Sequence, residues 1–207
     1  DFERIINKTK ILTSKCIRGE LDGSVIFSIY SVDLIKKNNL RFPSGYYEDI
    51  PFAYSAMVVA KNRYISRLHS YIKENTQDSI INTVSETHIS GLINSCVSVK
   101  RNFIQNNLVN YIDFESDYVY GAYGYLAHAL RDILNNNISN KIKIKLISYL
   151  YEKIGKTTEL RDLPIRTETK KDILVSFFLV NYDNLKSKEN RLLKELMSMN
   201  NQIFQTK

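Results

Sequence analysis

The chain has 207 residues, with 29 Lys and Arg against 22 Asp and Glu, giving a net charge of +7. Apolar residues make up 43%, enough for a packed core, which excludes a disordered chain. Only seven Gly and three Pro argue against a many-turned all-β architecture and favour helices.

In chain order, Phe2, Ile5, Ile6 and Leu12 recur near helical spacing over residues 2–15. Residues 24–37 gather Val25, Ile26, Ile29, Val32, Leu34 and Ile35, with Ser24 as the expected N-cap. Leu40-Arg41-Phe42-Pro43-Ser44-Gly45 cannot continue a helix, because Pro43 fixes φ and Gly45 permits almost any φ. Pro51 belongs in a first helical turn, so a helix is expected to start near Asp49 or Ile50 and run to residue 61. Glu48-Asp49 thus stands at a loop-to-helix junction. A carboxylate there is held on a fixed backbone and suits a general base. It equally suits an N-cap, since an acid in the first turn complements the helix dipole.

Residues 64–68 and 70–72 are short and rich in strand formers, and a strand or strand pair is expected there. From Asp78 the pattern turns helical, with apolar positions Ile80, Ile81, Val84, Ile89, Leu92, Ile93, Cys96, Val97 and Val99, and Asn106-Asn107 should end this helix. Residues 116–134 form the next helix, with Tyr118, Tyr120, Tyr123 and Tyr125 around Gly121 and Gly124. Tyrosines beside glycines can stack on a sugar, or the glycines can let helices pack closely, and close packing is the preferred expectation.

Asn135-Asn136-Asn137 marks a turn. Ser139 then opens an amphipathic helix that ends at Gly155, with Lys141, Lys143 and Lys145 either solvated or facing an anionic membrane. Leu163-Pro164 is a break, Thr167 and Thr169 precede the apolar run 173–180, and a last helix spans 185–204. Its Leu192, Leu196, Met199 and Ile203 can pack on the domain or on a second copy of the chain.

The order of three pieces carries a resemblance. They are Ser28-Ile29-Tyr30, then Asp33-Leu34-Ile35-Lys36-Lys37-Asn38-Asn39-Leu40-Arg41-Phe42, then Tyr46-Tyr47-Glu48-Asp49-Ile50-Pro51-Phe52. The order continues through Ala56-Met57-Val58-Val59-Ala60-Lys61, Leu68-His69-Ser70-Tyr71 and Asp78-Ser79-Ile80. Over residues 19–80 the chain resembles the second half of family 2 glycosyltransferases of the GT-A type, which are bacterial enzymes of polysaccharide biosynthesis. The resemblance implies a mostly α chain with a small β component. Residues 1–77 would be the C-terminal, acceptor-side remnant of an α/β GT-A domain, and 78–207 a helical extension.

It further implies Asp49 as the base that deprotonates an acceptor hydroxyl in an inverting transfer. Glu48 would support it, and Arg41, Tyr46 and Tyr47 would bind substrate. His69 sits where some GT-A enzymes place a late metal ligand. The implied partners are a nucleotide-sugar donor and a glycan or lipid-linked acceptor, with a divalent Mn or Mg ion for the full-length enzyme. The family's D-x-D motif, which holds that metal, has no counterpart upstream of Asp49, and Asp113-Phe114-Glu115-Ser116-Asp117 lies in the wrong order to replace it. With Asp1 first and no initiator Met, the expectation is a C-terminal portion of a longer enzyme, inactive alone.

Cys16 and Cys96 lack C-x-x-C spacing, so buried reduced thiols are expected rather than a zinc site or disulfide framework. Reduced thiols point to a cytoplasmic setting, no signal-peptide pattern or run of membrane-span length is present in the sequence, and the resemblance implies a place in the cytoplasm or peripherally at the inner membrane face. No zinc finger or RNP-like aromatic motif points to nucleic acid. The rival from another class is a helical interaction or membrane-surface module in which Glu48-Asp49 merely caps a helix.

Overall fold

The computed structural model describes residues 2–4, 9–66, 71, 72, 74, 84–109 and 113–204. It is mostly helical. Among the described residues the elements are nine α-helices and one two-stranded sheet. None of these helices is long and apolar enough to cross a membrane. The chain divides into two compact units, each discontinuous in sequence: Asp1–Ser79 with Asn94–Gly121, and Ile80–Ile93 with Ala122–Lys207.

In the first unit, β1 (Phe2–Arg4) pairs antiparallel with β2 (Tyr64–Ser66), with Phe2 opposite Ser66 and Arg4 opposite Tyr64. The helix expected from residue 2 therefore starts later, as α1 (Thr9–Ile17). Its opening residues instead complete the ladder of a strand about sixty positions downstream, a partner that local periodicity does not encode. Strand content at 64–66 matches the sequence expectation, Tyr71 and Ile72 are not in a strand, and 67–70 lie outside the described residues.

Three helices of this unit end in the same way. At the end of α1, Gly19 takes φ 67°, its N–H donates to the Cys16 carbonyl, and the Glu20 N–H donates to that of Lys15. After α2 (Val32–Lys37), Asn39 takes φ 47°, and the N–H groups of Asn39 and Leu40 donate to Lys36 and Ile35. After α4 (Glu86–Gln105), Asn107 takes φ 54°, and Asn107 and Leu108 donate to Ile104 and Phe103. Each is a left-handed stop that pairs two otherwise orphaned carbonyls, and Gly and Asn are the residues that tolerate it. At α2 the following Leu40 is buried with Phe52 and Ala56.

The expected N-cap at Ser24 is corrected. Ser24 precedes only a 3-10 turn, Val25–Phe27, and makes no side-chain capping bond. Ser31 caps α2 instead, its hydroxyl accepting the Leu34 N–H at 3.4 Å. Residues 28–31 are extended or irregular, so the apolar run at 24–37 is broken into two short elements.

α3 (Asp49–Val59) buries Pro51 through Ala56 and Val58, so it is enclosed on most sides and packs on α1 and on the 3-10 turn. Tyr54 Oη donates to the Leu21 carbonyl at 2.6 Å. Arg63 donates from Nε and Nη2 to the Met57 and Val58 carbonyls at 2.5 and 3.1 Å, closing the helix end with a cation.

α4 and α5 (Phe114–Asn135) each contribute residues to both units. The second unit adds α6 (Asn140–Lys156), the short α7 (Thr158–Arg161), α8 (Lys170–Leu185) and α9 (Glu189–Phe204). Ser139 caps α6 by accepting the Ile142 N–H. α9 packs on α8 and α6 through Leu192, Leu193 and Leu196, so its apolar stripe is used within this unit.

Candidate functional site

The loop before α3 is turned by two left-handed residues, Gly45 at φ 112° and Tyr47 at φ 61°. Glycine adopts this region freely, whereas a bulky aromatic does so only under strain imposed by its surroundings. The Ile50 N–H donates to the Tyr47 carbonyl at 3.4 Å, tying the turn to the helix start. Asp49 is the first helical residue and Pro51 the third, where no intrahelical N–H bond is required. The helix therefore begins where the sequence expectation puts it. It ends at Val59, two residues earlier than expected.

Aromatic contacts seat this loop on α3. Phe42 stacks on Phe52 with centroids 4.0 Å apart and planes at 7°, and Tyr30 meets Phe52 edge-on at 5.3 Å. Gly23 lies against Ile50 so closely that a Cβ there would fall 2.9 Å from Ile50 Cγ1 and 3.1 Å from its Cα. That approach brings Asp22 into the neighbourhood of Asp49. Asp22 Oδ1 also accepts the Ser24 N–H at 2.8 Å.

The Asp49 carboxyl is half-buried and titrates above its usual 3.8. Burial is the main cause and the neighbouring Glu48 charge adds to it, with a smaller push from Asp22. The backbone N–H groups of Ile50 and of Asp49 itself donate to the carboxylate and partly offset the shift. Burial also raises the Tyr30 phenol, and the Asp49 charge contributes. Tyr54 shifts upward as well, chiefly through burial, with Cys16, Asp22 and Asp49 adding to it.

Chemically, this is a carboxylate made more basic than a solvated one, set at a helix start, whose charge is felt by the Tyr30 and Tyr54 phenols. Glu48 occupies the N-cap position but makes no side-chain capping bond. Tyr46 and Tyr47 are half-buried in the same turn. Arg41 is exposed, and its Nη1 donates to the adjacent Leu40 carbonyl at 2.8 Å. Asp22 was missed in the sequence, where Asp22-Gly23-Ser24 reads only as a turn.

His69 lies outside the described residues. Among the described residues no group of three or more His, Cys, Asp or Glu is placed to hold a metal ion. The divalent ion expected of a full-length enzyme is thus assigned no ligand set among them.

The other side chains singled out in the sequence have structural surroundings. Tyr118 and Tyr123 are fully buried, and Tyr123 Oη donates to the Pro164 carbonyl at 2.7 Å. The Arg18 guanidinium covers the Tyr120 ring at 3.9 Å. Tyr118 and Tyr123 are thus core rings, and a protein cation takes one face of Tyr120. Gly121 bears out the close-packing expectation, since a Cβ on it would sit 2.1 Å from the Ile17 carbonyl oxygen.

Cys16 and Cys96 are both buried, and burial pushes the Cys16 thiol up to about 12, which removes its thiolate at neutral pH. In the second unit, His88 is buried with Nδ1 2.9 Å from Ser85 Oγ, and His128 Nε2 lies 3.2 Å from Asp132. Comparison with family models, with curated proteins and with solved structures finds no match to this chain.

Proposed function

We propose that this chain is the acceptor-side and C-terminal helical part of an inverting glycosyltransferase. It would move a sugar from a nucleotide-sugar donor to a glycan or lipid-linked acceptor. The observation that supports this most directly is Asp49: the first residue of α3, half-buried, with its basicity raised by burial and by Glu48. A base whose pKa moves toward the working pH is a better proton acceptor while still ionised.

In this reaction the acceptor O–H gives its proton to the Asp49 carboxylate. The freed oxygen forms a bond to the anomeric carbon as the bond from that carbon to the diphosphate oxygen breaks. The leaving nucleoside diphosphate keeps the electron pair. Tyr46, Tyr47 and Arg41 would contact the substrate, and Glu48 would keep Asp49 basic. A divalent cation, when bound, neutralises charge on the leaving diphosphate. Its principal ligands, like the donor site, would lie in a nucleotide-binding half outside these 207 residues. The protein would work in the cytoplasm, either free or peripherally at the inner face of the membrane.

One observation favours the second reading, a helical interaction module. The Asp49 carboxylate accepts N–H bonds from the first turn of its own helix, as a purely structural acid would. Sugar transfer against a panel of nucleotide sugars with a divalent metal separates the two. Transfer or donor hydrolysis by the longer parent, abolished by Asp49→Asn and absent in this chain alone, is the expected result. Silence across the panel, or normal turnover by Asp49→Asn, rejects the catalytic reading.

A further inference from the structure

Residues 18–24 link α1 to the 3-10 turn Val25–Phe27, and both of those elements pack on α3. Between them the chain is fastened to α3 at two further points. The buried Tyr54 donates from Oη to the Leu21 carbonyl at 2.6 Å. Gly23 lies against Ile50, where a Cβ would fall 2.9 Å from Cγ1 and 3.1 Å from Cα. Ile50 and Tyr54 are four residues apart, so the two fastenings share one face of α3. Asp22 is the residue between them.

The turn is also fixed from within. Asp22 Oδ1 accepts the Ser24 N–H at 2.8 Å, which holds the side chain in one orientation. Neither this bond nor the packing requires a charge at position 22, because Asn would accept the same N–H. The neighbours show where the charge acts. Among the described residues, the charges that act on Asp49 are both acidic, Glu48 from its own turn and Asp22 from the linking segment. Asp49 acts in turn on the Tyr30 and Tyr54 phenols, and Asp22 also acts on Tyr54. From α1, Cys16 faces Tyr54, and Arg63 faces Cys16.

We propose that residues 21–23 form a strap that holds the Asp22 carboxylate near the first turn of α3 as the charge partner of Asp49. A like charge disfavours ionisation of a neighbouring acid, so Asp22 makes Asp49 a stronger proton acceptor. Asp22 acts through Asp49 and is a positioning residue. Its role in sugar transfer rests on the glycosyltransferase reading, whereas the strap and its charge effect do not.

The test follows the Asp49 carboxyl by NMR titration of the full chain, with Asp49→Asn assigning the signal. Asp22→Asn keeps an acceptor for Ser24, removes the charge, and should lower the Asp49 midpoint, by less in high salt. Tyr54→Phe frees the Leu21 carbonyl while the ring stays in the core, and Gly23→Ala pushes the segment away from Ile50. Each should lower the Asp49 midpoint although Asp22 is retained. Added to Asp22→Asn, neither should lower it further. Circular dichroism checks folding, and Tyr54→Phe decides alone if Gly23→Ala does not fold.

An Asp49 midpoint unmoved by Asp22→Asn overturns the proposal. A midpoint that falls in Asp22→Asn but keeps its native value in the strap variants overturns it too, because the strap would then not be what holds the charge. In the longer parent, Asp22→Asn should move the acid limb of kcat/KM to lower pH by as much as the titration moves. An active parent whose acid limb stays in place overturns the role in transfer. A parent that transfers no sugar overturns the glycosyltransferase reading, while the titration still decides the strap.

Discussion

Lys143 Nζ donates to the Leu134 carbonyl at 2.6 Å, joining the first turns of α6 to the last turn of α5. Lys143 is buried, and Leu134 offers one of the carbonyls that a helix end leaves without an intrahelical partner. The cation also lies at the negative end of the α5 dipole. The basic row read in the sequence as Lys141, Lys143 and Lys145 is therefore divided: Lys141 is exposed, Lys145 pairs with Glu86 at 2.8 Å, and Lys143 points inward.

Removing this bond should show in unfolding. Lys143→Met is expected to cost about 1–3 kcal/mol, because it strands a buried carbonyl, and Lys143→Glu should cost more. Lys141→Glu should change stability by about 0.5 kcal/mol or less. Urea denaturation midpoints of the three variants check the order, and equal midpoints for Lys141→Glu and Lys143→Glu would contradict it.

Two glycines on α5 should respond in opposite directions to the same substitution. At Gly121 a Cβ would meet the Ile17 carbonyl oxygen at 2.1 Å and Arg18 Cα at 3.3 Å, all backbone that cannot step aside cheaply. Gly121→Ala should cost about 1–3 kcal/mol or more by overpacking. At Gly124 the nearest atom is the flexible Lys171 Nζ at 3.6 Å, so Gly124→Ala should add about 0.5–1 kcal/mol through helix propensity. Thermal melts of the pair decide it: both variants moving the same way would mean that the α1–α5 approach is misplaced.

Ser176, within α8, holds the preceding loop. Its Oγ donates to the Arg166 carbonyl at 2.6 Å, accepts the Arg166 N–H at 3.1 Å, and lies 3.1 Å from Tyr123 Oη. Ser176→Ala should cost about 1 kcal/mol or more because it leaves the part-buried Arg166 N–H and carbonyl without this partner. Tyr123→Phe should cost about 1 kcal/mol, and a double-mutant cycle should show coupling between the two sites. Strict additivity would separate Tyr123 from this network. The same loop ends in a reciprocal cap, where Thr169 Oγ1 accepts the Asp172 N–H and Asp172 Oδ2 accepts the Thr169 N–H, at 3.2 and 3.0 Å.

Asp49 links stability to pH with a definite sign. Its carboxyl titrates above 3.8 in the folded chain, so the folded state binds the extra proton between that value and the raised one. Stability contributed by this group is greatest below 3.8 and falls as pH rises through the window above it. Asp49→Asn should flatten this part of the profile and leave neutral-pH stability equal to or above that of the native chain. Denaturation midpoints measured across the acid range check this. A variant less stable at neutral pH would show that the carboxylate is held chiefly as a structural cap.

Much of the helical framework was legible because local sterics and periodicity decide it. Ser139 opens α6, Asn106-Asn107 closes α4, and Pro51 fixes the start of α3, since caps, left-handed stops and first-turn prolines depend on a few neighbouring residues. The Glu48-Asp49 junction was legible for the same reason. Decisions that require distant partners were not. Phe2–Arg4 became a strand because Tyr64–Ser66 supplies its ladder, and Ser31 rather than Ser24 caps α2 because residues 28–31 leave the helix while Leu34 and Ile35 turn to the Phe52 cluster.

Asp22 entered the surroundings of Asp49 only through the close approach of Gly23 to Ile50. Lys143 went inward only because the end of α5 presents it a carbonyl. Residue order thus determined where helices start and stop and where an acidic pair meets a helix. Tertiary packing alone decided which charges are buried, which acids share a field and which apolar side chains stay in water, because burial and Coulomb energies depend on distances that sequence spacing does not set.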